Sequence, residues 1–244
     1  MTDLELNELS LAYWSGRAPE FSALRMAEYE TQTRERLREF IRAHLPKKPG
    51  DEAVRALDIG CGAGFLTLLL LELGCETTAV DFSKEMLVQA EKNLKDHGFE
   101  GKAQLLCMDA QRLGFPEGQF DFVLSRNVLW IVPDAQAAYS EAFRVLKNGG
   151  VLLNMDANYG RTFNEADARG ERPTHPTQTE EQLRTRNLIA RDLEVTKADR
   201  PLWDLTLLWQ AGASEVQAVR DLETRLGLAP GHGSGGLFAV VARK

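Results

Sequence analysis

Residues Val54–Asp81, VRALDIGCGAGFLTLLLLELGCETTAVD, decide how the rest of this chain is read. An apolar run (Val54, Ala56, Leu57, Ile59) ends in Gly60-Cys61-Gly62-Ala63-Gly64. A leucine-rich segment follows as far as Gly74, and a second run, Thr77 to Val80, ends in Asp81. The pattern predicts strand, glycine turn, helix, strand and acid. Glycines at such a turn open backbone angles closed to other residues and leave no Cβ between the chain and a ligand lying across it. Asp81 follows the first glycine by about 20 residues, where the acid of a nucleotide-binding βαβ unit accepts hydrogen bonds from a ribose. The bland alternative is a turn built for packing alone, with Asp58 a carboxylate on backbone amides.

A nicotinamide dinucleotide would set its pyrophosphate on the helix start through G-x-G-x-x-G spacing. Here the spacing is tighter, G-x-G-x-G, and Asp58 precedes it. An acid at that point repels a pyrophosphate and suits a cationic nucleoside. The stretch Asp58–Gly64 resembles the first motif of the class I S-adenosylmethionine-dependent methyltransferases, small-molecule branch, and Val80-Asp81-Phe82-Ser83 resembles their second. The resemblance implies S-adenosylmethionine as cofactor, seated by Asp58, Gly60, Cys61, Gly62 and Gly64, with Asp81 on its ribose and Phe82 and Met86 flanking its adenine. Core packing is the competing role for Met86.

Downstream, a third strand, Ala103 to Met108, ends in Asp109-Ala110. In the resembled family the acid there accepts from the adenine amino group and the next amide donates to the ring, which makes Asp109, Ala110 and the following Gln111 candidates. Phe115-Pro116 with Phe120-Asp121 resembles the family's approach to a fourth strand, Phe120 to Ser125. Ser125 to Asn127 would lie beside the methyl donor, with Ser125 and Asn127 the candidates, because ligands of open α/β sheets sit beyond the carboxyl ends of the strands. Arg144–Gly150, RVLKNGG, resembles the family's helix-ending signature with Asn148 in place of proline. A helix over 135–147 and a strand over 151–155 follow, ending at Asp156, and further on Val216 to Leu222 reads as a sixth strand and Leu237 to Ala242 as a seventh.

Upstream, residues 1–48 read as helical, with Leu37, Phe40, Ile41 and His44 at the spacing of one face. The segment Tyr13–Phe21 resembles the aromatic stretch that folds over the methionine end of the cofactor in many small-molecule methyltransferases, which adds Tyr13, Trp14 and Arg17 to the candidates. Trp14 and Phe21 could equally pin the arm to the core, and an aromatic face on a sulfonium would let both roles coexist.

The expected fold is α/β: a Rossmann-like, seven-stranded, mostly parallel sheet with an antiparallel last strand and helices on both faces. An N-terminal helical arm (1–50), a cofactor-binding core (51–156 and 201–244) and a substrate-recognition insertion (157–200) divide the chain. With 244 residues and 43% hydrophobic content, there is enough for one well-buried domain with an extra lobe. A net charge of −7 argues against a general footprint for nucleic acid or an anionic membrane. The acidic N-terminus and the short apolar runs suggest a cytoplasmic protein, a monomer or homodimer. Cys61, Cys75 and Cys107 are odd in number without metal-ligand spacing, and are expected as buried, reduced thiols with no metal.

Methyl transfer is an in-line displacement at an already activated carbon, so the expected task is alignment and exclusion of water. A base is needed only for an acceptor that must lose a proton, and His175, Tyr159, Asp156 and, more weakly, His232 are candidates. The insertion holds Arg161, Arg169, Arg172, Arg184, Arg186, Arg191 and Arg200, most of them read as a solvated lid, with an Arg fork on a substrate carboxylate as the sharper option. The expected activity is methyl transfer to a small molecule or short peptide. The alternatives are a non-catalytic S-adenosylmethionine-binding protein and an NAD-dependent oxidoreductase.

Overall fold

The computed structural model describes residues 1–50, 52–170, 178–191, 193–228 and 236–244. Among the described residues the strands are β1 (Arg55–Ile59), β2 (Glu76–Asp81), β3 (Ala103–Cys107), β4 (Phe120–Arg126), β5 (Leu146–Ala157), β6 (Glu215–Val219) and β7 (Leu237–Arg243). They form one sheet in the order β3-β2-β1-β4-β5-β7-β6, parallel except for β7, which runs antiparallel to both neighbours. The order reverses between β1 and β4, so a crevice opens beyond their carboxyl ends, where open α/β sheets place ligands.

The sheet is buried on both faces. Along β4, Phe122 and Leu124 join one apolar cluster and Val123 the other; along β5, Leu153 and Met155 face one side and Leu152 the other. That is why these strands read as continuous apolar runs rather than alternating ones. The crossover helices are α3 (Phe65–Glu72), α4 (Lys84–Asp96), α5 (Ala135–Val145) and α9 (Leu202–Gln210). Ser83 and Asp134 accept hydrogen bonds from the backbone N–H groups of Met86 and Ala137, closing the N-termini of α4 and α5.

The arm consists of α1 (Asp3–Tyr29), which opens with a capping box between Thr2 and Glu5, and α2 (Gln32–His44), which buries Leu37 and Ile41. On α1 the buried residues Leu6, Ser10, Tyr13 and Arg17 recur every three or four positions, one stripe along a helix. That stripe faces the crevice. The insertion holds α6 (Tyr159–Ala168), α7 (Glu180–Arg191) and α8 (Glu194–Lys197). A further short helix, α10 (Leu222–Leu226), stands between β6 and β7.

Three readings from sequence change. Helix α5 stops at Val145, and β5 begins at Leu146 rather than Val151. The sixth strand ends at Val219, because Leu222 and Leu226 are drawn into the core as α10. Cys107 is exposed, since β3 is an edge strand of the sheet; Cys61 and Cys75 are buried, and all three thiols are free. Among the described residues no helix is long and apolar enough to cross a membrane.

One buried polar network ties the insertion to the sheet. Arg200, 3% exposed, reaches Asp156 with Nη2 (2.9 Å) and Asp204 with Nε (2.9 Å). Tyr139 donates to Asp204 (2.6 Å), the Asn154 amide donates to Tyr139 (2.9 Å), and Ser125 donates to Asn154 (2.8 Å). Burial pushes the Asp156 carboxyl up to about 6, against the pull of Arg200. Removing Arg200 leaves two carboxylates in a dry interior, which costs about 3–5 kcal/mol. Arg200→Met is therefore expected to lose that much stability at pH 8 and visibly less at pH 5, where protonation relieves the pair; urea unfolding at both pH values measures it.

Candidate functional site

A cavity of about 410 Å³ lies over the carboxyl ends of β1, β2 and β4, with α1 along one wall and the insertion along another. Its size falls within the roughly 300–1,000 Å³ of small-molecule sites. The floor is the turn between β1 and α3. Gly60 has φ +66°, and a Cβ there would press on the Val128 side chain at 2.4 Å; Gly62 has φ +52°, with Phe21 of α1 at 3.2 Å from where a Cβ would sit. Only glycine fits such a turn without displacing its neighbours.

Asp81 holds this floor. Its Oδ2 accepts from the Gly62 N–H (2.8 Å) and its Oδ1 from the Ser83 N–H (2.9 Å), joining the glycine turn to the start of α4. Asp58 accepts from the Thr67 hydroxyl (2.7 Å). Burial pushes Asp58 up to about 7 and Asp81 up to about 6, and the charge of Asp81 adds to the shift at Asp58. Among the described residues neither carboxyl has a basic partner, so two buried acids face the cavity with no cation beside them. A cationic ligand supplies what they lack.

Of the residues expected on the cofactor, Asp58, Gly60, Cys61 and Gly62 line the cavity floor. Asp81, Phe82 and Met86 line it from the second strand and helix, and Asp109, Ala110 and Gln111 from the third strand end. Asp109 accepts from the Gln111 N–H and side-chain amide, a tight turn rather than a helix start. Tyr13, Trp14 and Arg17 close the α1 side, and Asn127, held at φ +58°, follows β4.

Two of the set lie elsewhere. Gly64 packs helix on helix, with Leu94 and Ala90 of α4 at 3.0 and 3.2 Å from a Cβ there, and Ser125 is committed to Asn154. Neither lines the cavity.

The base candidates divide. Tyr159 lines the cavity, and its hydroxyl donates to Asn127 Oδ1 (3.2 Å). Burial holds its phenol well above the ordinary range, so it stays protonated and orients rather than abstracts. Asp156 is fully buried off the cavity, accepting from the Trp130 and Ala157 backbone N–H groups and pairing with Arg200. This placement does not suit a base; the side chain fixes the Trp130 turn. His175 and His232 lie outside the described residues.

Sequence reasoning did not single out Arg25, Trp130, Phe163 or Gln178, all on the cavity wall, and reached Arg126 only as part of the stretch Ser125 to Asn127. Two signals pointed there. The Tyr13–Arg17 stripe continues at helical spacing to Phe21, Leu24 and Arg25, and Arg126 is the last residue of the strand that reaches the crevice. Among the insertion's arginines, Arg161, Arg169, Arg184 and Arg191 are exposed, whereas Arg186 is buried and lines the cavity.

Residues 57–154 match the family model described as a methyltransferase domain. The chain is 35% identical over 111 residues to the phosphatidylethanolamine N-methyltransferase of Cereibacter sphaeroides, covering 46% of this chain and 52% of that protein. It is 35% identical over 115 residues to the demethylmenaquinone methyltransferase of Bacillus velezensis, covering 46% and 49%. It thus spans about half the length of these curated relatives. Among solved structures, a Thermotoga maritima protein described as an S-adenosylmethionine-dependent methyltransferase, possible histamine N-methyltransferase, superposes with a TM-score of 0.61 at 22% identity, over 96% of this chain and 99% of that one. The phosphoethanolamine N-methyltransferase 2 of Haemonchus contortus, in complex with S-adenosylmethionine, gives 0.60 at 18%, over 86% and 52%. Residues 57–154 thus match a methyltransferase domain, and the sheet around them shares the fold of solved S-adenosylmethionine-dependent methyltransferases.

Proposed function

We propose that this protein transfers a methyl group in-line from S-adenosylmethionine to a small-molecule or short-peptide acceptor inside the cavity. The observation that carries the reading is the pair of buried, cation-free carboxylates, Asp58 and Asp81, beside the glycine turn of a small-molecule-sized cavity. When bound, the cofactor supplies a methyl carbon already activated by its sulfonium. Asp58 faces the cationic end, Asp81 the ribose, and Asp109 with the Ala110 amide the adenine edge; Phe82 and Met86 give it apolar walls.

The chain's own contribution is alignment and dryness. Trp130, Tyr159 and Phe163 pack against one another, with ring centroids 5.2 to 6.3 Å apart, and wall off the acceptor side. The protonated Tyr159 phenol and Asn127 orient what lies between them. Holding two reactants in register accounts for several kcal/mol of barrier lowering without any acid or base.

Calorimetric titration is expected to show binding of S-adenosylhomocysteine and none of NAD, and Asp81→Ala to weaken the former by about 2 kcal/mol, roughly thirtyfold. Binding of NAD alone would overturn the reading. A second expectation concerns protons. In the ligand-free protein Asp58 and Asp81 are raised to about 7 and about 6, so at pH 6 both are substantially protonated. A cationic ligand requires the ionised forms, so binding releases protons and affinity rises from pH 6 to pH 8. Titrations in buffers of different ionisation enthalpy detect the release; proton uptake, or a pH-independent affinity, would contradict it.

A further inference from the structure

The cavity presents two separate guanidinium groups of residues, and S-adenosylmethionine brings a single carboxylate. The first lies near the glycine turn. Arg25 Nη1 pairs with Glu28 Oε2 (2.6 Å) and Arg126 Nη2 with Glu28 Oε1 (2.7 Å), so two cations share that carboxylate. The Arg126 guanidinium sits over Phe65, the first residue of α3, at 5.4 Å from the ring centroid. The Nε of each arginine is buried without a hydrogen-bond partner. Their charges also reach the Tyr159 phenol, and a cofactor seated on Gly60–Gly62 would turn its methionine carboxylate to this end.

The second lies under the insertion. Arg17, with a side chain 4% exposed, donates to the Tyr13 hydroxyl (3.0 Å) and pairs with Glu20 (3.0 Å), and its Nε is buried without a partner. Tyr13 donates in turn to Gln178 (3.1 Å). Arg186, also buried, donates to Asn187 Oδ1 from Nη2 (3.0 Å) and stacks on Phe163 with its guanidinium 3.5 Å from the ring centroid. Both guanidinium charges are close enough to act on the Tyr13 phenol. Phe163 belongs in turn to the Trp130–Tyr159–Phe163 aromatic wall.

Resting on the methyl-transfer reading above, we propose that the acceptor is a planar, largely apolar acid, its oxyanion seated between Arg17 and Arg186 and its body against Trp130, Tyr159 and Phe163. Guanidinium forks match carboxylate and phosphate geometry, and such charge-assisted bonds gain strength where water is scarce. Aromatic faces take up a planar body. An oxyanion clasped by two cations is a weakened nucleophile, so the seat anchors the acceptor and another atom of it receives the methyl group. Arg17, expected on the cofactor from the sequence, becomes an acceptor residue.

The test uses benzoate as the probe and benzamide, its neutral isostere, as the control, on the full chain saturated with S-adenosylhomocysteine. Benzoate is expected to bind at least tenfold more tightly than benzamide. Arg186→Gln and Arg17→Gln should each weaken benzoate at least tenfold while leaving the affinity for S-adenosylhomocysteine within threefold, and Arg186→Lys, which keeps the charge and guards against a folding artefact, should retain part of the binding. Arg126→Gln should do the reverse, weakening the cofactor product and sparing benzoate. Equal binding of benzoate and benzamide, no benzoate binding, or a loss of S-adenosylhomocysteine affinity in Arg186→Gln as large as that of benzoate overturns the acceptor seat alone. Failure of S-adenosylhomocysteine itself to bind overturns the methyl-transfer reading and this inference with it.

Discussion

One carboxylate holds the floor of the cavity. Asp81 ends β2 and reaches across to the Gly62 N–H and forward to the Ser83 N–H. Those two contacts decide where the glycine turn lies relative to the second strand and where α4 begins. Ser83 then caps α4 and contacts Ser15 of α1 (2.9 Å). Asn93, further along α4, donates to the Ala63 carbonyl and to Ser22 of α1 (2.8 and 2.9 Å). The glycine turn, the second helix and the arm are thus registered against one another through a short chain of buried polar groups, each satisfied at normal distance.

Asp156 performs the equivalent service on the far side of the sheet switch point. Its oxygens hold the backbone N–H groups of Trp130 and Ala157 and the guanidinium of Arg200. The Trp130 turn, and with it the aromatic wall, depends on an ion cluster whose cation comes from the segment leading into α9. Packing on the sheet and shaping of the cavity's aromatic wall are therefore coupled in the same few side chains.

The sheet, its order of elements and the first three strand-end acids were legible because each is a local pattern: apolar runs, glycine turn, acid at fixed distance. Gly64 was misread because a glycine needed against a ligand and one needed against Ala90 and Leu94 look the same in sequence. Asp156 was misread for a similar reason. An acid at a strand end reads as a site residue, and only the approach of Arg200, 44 positions away, makes it a strut. Arg25 was hidden because an arginine on a helix is ordinary until the fold turns it inward. α10 escaped because the five residues Leu222–Leu226 carry too little periodicity to separate from a strand end.

The uncompensated carboxylates at Asp58 and Asp81 have a consequence for the lifetime of the protein in a cell. A chain that folds around two buried acids with no cation beside them is less stable empty than loaded, by an amount that grows with the free concentration of the ligand that pairs with them. The empty form is then the one that opens more often and meets proteases first. Abundance would follow supply of the methyl donor even with synthesis held constant.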